Sequence, residues 1–196
     1  MCRFLRMLLG VALAAIAALI GVTLALRKSL ARESRLARTD IVTGVRTARA
    51  FYEAAAAEIE RARRYQHPFS VACVDLGYRV GDELLRSTAA ALRGALRATD
   101  LIARLGRDEF IVLLPETPAA ATRVVLEKLR TGLLEVRVGD GRQITVSIGG
   151  VTFLDPPASV DDIVRAADER ITNAKATGTI SHTTWNAAPP PPPEGR

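Results

Sequence analysis

Two carboxylates and a glycine turn are the groups in this 196-residue chain best suited to chemistry. Asp75 closes the apolar run Phe69-Ser-Val-Ala-Cys-Val-Asp75, and Asp108 lies in Arg104-Leu-Gly106-Arg107-Asp108-Glu109-Phe110, between two short apolar stretches. Phosphoryl transfer from a nucleotide needs carboxylates to hold Mg²⁺ and a glycine-lined turn where backbone N–H groups approach phosphate oxygens. Asp75 and Asp108 are the candidates for the carboxylates, and Gly106 for the turn. The plainer reading is that Asp75 ends a strand and Asp108 caps a turn. Other chemistries are poorly provided for. His67 and His182 are the only histidines, and neither has a Cys or His partner at metal-ligand spacing, which argues against zinc and against a Ser-His-Asp hydrolase. Cys2 and Cys73 cannot build a disulfide framework, and Cys73 reads as a buried thiol in a reducing compartment.

The elements that must position these groups read as one α/β unit over residues 40–185. An Ala-rich helix pattern covers 47–65, and 69–75 reads as a buried strand. A second helix starts near Gly81-Asp82 and carries Leu84, Leu85, Ala89, Leu92 and Leu96 as one apolar stripe. Short strands at 100–104 and 109–114, a few residues apart around Gly106, predict a β-hairpin. Pro115 and Thr117 lead into a third helix with Val124, Val125, Leu129 and Leu133 inward; a strand over 143–151 and a last helix over 160–176, opened by Asp161 and Asp162, complete the unit. Residues 186–196, with five consecutive prolines from Pro189, predict a disordered, solvated tail.

Charge divides sharply along the chain. The formal net charge is +6, and residues 1–39 hold all of it, with seven cations and Glu33 as their only anion. Residues 40–196 carry 20 charges of each sign, which excludes a nucleic-acid groove on the main domain. Residues 7–26 are 20 consecutive uncharged residues, ten of them Leu, Ile or Val. That run is long enough for a bilayer and favours insertion by about −3 to −6 kcal/mol. It exceeds the apolar core of a cleaved signal peptide. Residues 1–26 therefore predict a single transmembrane anchor and 27–39 a basic juxtamembrane helix. Two cations precede the span and five follow it, so the positive-inside rule places the C-terminal domain in the cytoplasm, at the inner membrane.

The hairpin sequence resembles the signature of GGDEF domains, the diguanylate cyclases that join two GTP into cyclic di-GMP. Asp40-Ile-Val-Thr43-Gly44-Val45 is similar to the family's D-x-L-T-G-L opening, Val146-Ser147-Ile148-Gly149 to its S-I-G strand, and Ala167-Asp168-Glu169 with Ala174-Lys175 and Gly178 to its last helix. The resemblance covers residues 40–185. It implies an α+β fold, a palm-like βααββαβ sandwich. It also implies catalytic roles for Asp108 and Glu109, metal ligation by Asp75, Asp108 and the Leu76 carbonyl, and nucleotide contacts from Gly106, Arg107, Asp82 and Lys175.

Three departures from the family pattern point to a degenerate site. The second glycine of the signature is Arg107. If the hairpin needs positive φ there, a residue with a Cβ costs about 1–2 kcal/mol, and the side chain lies where phosphates should meet bare backbone. The first strand-to-helix connection is only Leu76-Gly77-Tyr78-Arg79-Val80, roughly ten residues short of the family's D-x-D-x-F-K-x-x-N-D-x-x-G-H stretch. The base-reading asparagine and the phosphate-wrapping backbone go with it, and the apolar face that helix covered needs another cover, a partner protein among the options. Asp82 is left to contact guanine alone, or to serve as a helix N-cap. After Gly178 the expected arginine is Thr179, although Lys175 is kept.

One feature is intact. Arg97-Ala-Thr-Asp100 stands where the family places its R-x-x-D product-inhibition site, and arginine with a carboxylate suits a guanine edge. The expectation is a membrane-anchored, catalytically inactive domain binding cyclic di-GMP through Arg97 and Asp100. The alternatives are a weak cyclase using GTP with Mg²⁺, and a non-binding scaffold that pairs with itself or with an active cyclase.

Overall fold

The computed structural model describes residues 20–22, 38–77, 81–137, 145–177 and 180–186. The chain divides into two units, 1–37 and 38–196. In the first, only residues 20–22 are described, and they are helical. The anchor and most of the basic linker therefore lie outside the described residues, as do 78–80, 178–179 and the tail from 187. Among the described residues no helix is long and apolar enough to cross a membrane. Of the linker helix expected over 27–39, only Arg38 and Thr39 are described, and they are not helical: Thr39 forms an antiparallel bridge with Arg46.

The second unit begins with β1 (Arg46–Thr47) and α1 (Ala48–Tyr65), whose N-terminus is capped by the Thr47 hydroxyl accepting from the Ala50 amide. Its stripe Phe51, Ala55, Ile59 and Ala62 is buried, the period of a helix lying on a sheet. Next come β2 (Phe69–Asp75), buried at every residue, α2 (Asp82–Ala95), and the hairpin β3 (Leu101–Arg104) and β4 (Glu109–Leu114). They are followed by α3 (Ala119–Leu134), β5 (Ser147–Phe153), α4 (Val160–Thr177) and β6 (Ser181–Trp185).

The sheet runs β1-β3-β4-β2-β5-β6. β2 is antiparallel to both β4 and β5, while β1 lies parallel to β3 and β6 parallel to β5. Alternation along β2 feeds two cores: Ala72 and Val74 join Leu85, Leu92, Leu126, Leu129 and Leu133 beneath α2 and α3. Phe69, Val71 and Cys73 join Phe51, Ile59, Phe153 and Ile163 beneath α1 and α4. Each fully buried Leu or Phe contributes about 1.5–3 kcal/mol. The chain is an α+β sandwich with a mixed sheet and a helix pair on each face. α2 and α3 pack against each other over one of these cores.

Two strands depart from expectation. β5 starts at Ser147 rather than 143; residues 143–144 lie outside the described set, and Thr145 and Val146 are unpaired. β6 was not expected, since Ser-His-Thr-Thr-Trp is a mostly polar string. It is held by pairing with β5 and by Thr152 Oγ1 within 3.0 Å of His182 Nε2. α4 lies hard against β5 at Gly149, where an added Cβ would stand 2.6 Å from the Ile171 amide nitrogen. One turn further along that helix face is Lys175.

Candidate functional site

At the C-terminal end of β2, the register sets Asp75 opposite Glu109 on one side and opposite Ser147 on the other. The Asp75 side chain is only 7% exposed, and both of its oxygens are engaged. Lys175 Nζ donates to Oδ2 at 2.7 Å, and the Gly77 amide donates to Oδ1 at 2.8 Å. A pocket of about 510 Å³ opens here, lined by Asp75, Asp108, Glu109, Ser147 and Lys175 among others. Partial loss of water raises the Glu109 carboxyl above its ordinary value, and Asp75, Asp108 and Asp168 add repulsion that Lys175 only partly offsets. Desolvation likewise raises Asp168, against the pull of Lys175. Beneath them Cys73 is buried, its thiol pushed far up by desolvation and then by Asp168 and Glu109.

The sequence brings together Asp75, Asp108, Glu109 and Lys175, as expected. Of the expected metal ligands, Asp75 and Asp108 line one pocket, and the Leu76 amide donates to the Asp108 carbonyl. Lys175 occupies the Asp75 oxygen that Mg²⁺ would take, so a divalent ion there competes with the ammonium group. Among the described residues no group of three or more His, Cys, Asp or Glu is placed to hold a metal.

The hairpin tip also differs from expectation. Positive φ among non-glycine described residues occurs only at Gln66 and Glu116, and neither Gly106 nor Arg107 adopts it. Arg107 therefore carries no left-handed strain. The loop is the 105–108 that the expected strand bounds leave, long enough to turn without the positive φ of a two-residue turn, and closed by the Leu105 amide donating to the Glu109 carbonyl. Arg104 braces it, donating from Nε to the Gly106 carbonyl at 3.0 Å and from Nη2 to the Arg107 carbonyl at 2.6 Å. Asp82 is removed from this pocket: it is exposed, the first residue of α2 after the cap Gly81, and pairs loosely with Arg86 at 3.9 Å. It is neither the N-cap nor among the pocket-lining residues.

A second concavity, about 620 Å³, lies at the start of β3, the end of that strand away from the hairpin loop, and shares no lining residue with the first. Its lining includes Arg93, Arg97 and Asp100 from the end of α2 and the turn after it, and Gly44 and Arg46 from the opening turn and β1. Asp100 Oδ2 accepts from the Arg97 amide at 2.8 Å, which fixes the R-x-x-D turn. Arg93 Nη2 donates to the Thr43 carbonyl at 3.0 Å. The opening turn is organised by Asp40, whose Oδ1 accepts from the Thr43 amide and hydroxyl, with Arg104 Nη1 at 3.3 Å. Gly44, at φ +66, takes a conformation open to glycine. Desolvation pushes the Asp40 carboxyl up, but Thr43 and Arg104 together outweigh it and hold the group below its ordinary value.

Sequence reasoning missed Arg104, Arg93, Arg46 and Asp168. Arg104 was visible only as the residue two before Gly106, and its bonds to loop carbonyls leave no mark on composition or periodicity.

The chain matches the family described as "Diguanylate cyclase, GGDEF domain" over residues 37–181. It is 30% identical over 168 residues to the response regulator PleD of Caulobacter vibrioides, covering 78% of this chain and 37% of PleD. The chain thus spans little more than a third of the length of that relative. Among solved structures it is similar to the diguanylate cyclase SiaD of Pseudomonas aeruginosa, in complex with its activator SiaC. The TM-score is 0.68 at 25% identity, over 93% of this chain and 83% of that one. The GGDEF domain of DgcB from Caulobacter crescentus, in complex with c-di-GMP, shares the fold with TM-score 0.66 at 22% identity, over 76% of this chain and 95% of that one. The chain belongs to the GGDEF family.

Proposed function

We propose that this member of the GGDEF family is a membrane-anchored domain that binds cyclic di-GMP through Arg97 and Asp100 and does not synthesise it. The observation that carries the reading is the charge of the second concavity. Arg46, Arg93 and Arg97 face it against Asp100 alone, and Arg46 and Arg97 have no ion-pair partner among the described residues. A cyclic dinucleotide brings two phosphates to such a cleft and a guanine edge to the Arg97 guanidinium. The first pocket supports the other half of the reading. Its cation is internal, the stretch that would read a base is absent from the six-residue connection 76–81, and an arginine side chain stands at the hairpin tip. Catalysis of this kind consists mostly of positioning and electrostatics, and these are the parts altered. Anchoring at the inner membrane with the domain in the cytoplasm belongs to the reading, supported by the apolar run 7–26 and its flanking charges. Pairing with a second copy or an active cyclase belongs to it too, and light scattering of the full chain tests the first of these.

Calorimetry on the detergent-solubilised full chain tests the ligand. Cyclic di-GMP should give a saturable heat that Arg97→Ala weakens by about 30-fold or more, the loss of a bidentate contact. No heat, or equal affinity in the variant, overturns the reading. The rival, a weak cyclase, is favoured by the convergence of Asp75, Asp108, Glu109 and Lys175. It requires that GTP with Mg²⁺ yield cyclic di-GMP and that Asp108→Ala abolish the product.

A further inference from the structure

We propose that the arginine cleft is also a latch on the opening of the domain. A ligand held there clamps residues 39–47, which continue directly from the linker, onto the end of α2. The inference rests on the reading that this cleft binds cyclic di-GMP, and adds what binding does.

The cleft is built from two parts of the chain about fifty residues apart in sequence. Thr39, Gly44 and Arg46 come from the opening turn and β1; Arg93, Arg97 and Asp100 come from the end of α2 and the turn that follows. Arg93 spans the two, its Nη2 donating to the Thr43 carbonyl at 3.0 Å. A guanidinium has five N–H donors in a planar fork, so Arg93 can keep the Thr43 carbonyl and grip a phosphate oxygen with its remaining donors. Arg46 lines the cleft from the other part, so an anion held between it and Arg97 gains attraction from both. β1 is a thin attachment, two residues paired to β3, with Thr39 bridged to Arg46 at its start. A segment with so short a ladder sits at the low-stability end of the fold, where a modest added contact changes its opening most. On the other side of the turn, Asp40 is fixed to Arg104 and through it to the hairpin loop, so the ligand adds to the single Arg93 hydrogen bond that ties the turn to α2.

Hydrogen exchange on the full chain, with and without saturating cyclic di-GMP, tests the latch. Amides within residues 39–47 should exchange about tenfold more slowly with ligand. Measured at ligand concentrations that saturate each protein, Arg93→Gln should lose most of that protection, and Arg93→Lys should fall between, since it keeps the charge without the fork. Thermal melts of both variants check that the fold is kept. Binding with unchanged exchange in residues 39–47 overturns the latch alone. So does full protection in a folded Arg93→Gln protein. Absence of binding overturns the underlying reading and the latch with it.

Discussion

The two concavities at the ends of β3 have opposite electrostatic situations. In the Asp75 pocket carboxylates outnumber cations, with Lys175 closing on the one that is 7% exposed and offsetting only part of the repulsion among its acidic neighbours. In the Arg97 cleft, guanidiniums outnumber carboxylates, and the one carboxylate, Asp100, accepts a bond from backbone. The first has its counter-ion built in; the second requires one from outside. Retained signature residues therefore say less about present binding than whether those residues are already partnered.

Substitutions can break or sharpen this contrast. The largest effect is expected at Gly149, where any side chain meets the backbone of α4 at 2.6 Å. Gly149→Val should cost at least about 3 kcal/mol in denaturant unfolding and carry Lys175 away from Asp75. An unchanged midpoint would mean that α4 docks more loosely than described. Next, Lys175→Met leaves the Asp75 carboxylate with the Gly77 amide alone. A fully buried pair would cost about 3–5 kcal/mol to break, but Lys175 is 48% exposed, so about 2 kcal/mol is expected. Cyclic di-GMP binding should be untouched if the two sites are independent. Smaller again, Asp40→Asn loses a charge-assisted contact with Arg104 and should cost about 1.5 kcal/mol at neutral pH. The Asp40 carboxyl is held below 3.8, so its contribution is present above that value and lost as pH falls through the folded-state value. The difference between wild type and Asp40→Asn should accordingly shrink in melts taken below about pH 3.8. The smallest effect is expected at Arg107→Gly. With no positive φ to relieve, stability should shift by no more than about 0.5–1 kcal/mol, and a gain of 1–2 kcal/mol would restore the strained-turn explanation.

The long, strongly patterned elements were legible in the sequence. The strand at 69–75 coincides with β2, and the helices at 48–65, 82–95 and 160–177 fall within two residues of the boundaries their apolar periodicity gives. β6 was not legible because its residues are half-buried and polar, so its pairing with β5 rather than its composition makes it a strand. The grouping of Asp75, Asp108, Glu109 and Lys175 was readable from the family's motif order. The Lys175–Asp75 ion pair was not, because it depends on the rotation of α4 over Gly149. The strain expected at Arg107 failed for a similar reason: Arg104 reorganises the loop through carbonyl contacts that no pattern of side-chain types encodes.

Cys73 gives the molecule a chemical clock. Its thiol is 5% exposed on the central strand and borders a small void with Asp75, Glu109 and Asp168. Desolvation and acidic neighbours keep it in the unreactive neutral form. An alkylating reagent can label it only when the sheet between α1 and α4 parts, so its labelling rate reports the opening free energy at the floor of the pocket. Exchange at residues 39–47 and alkylation at Cys73 thereby time the two ends of β3 separately, in one protein and without an introduced cysteine.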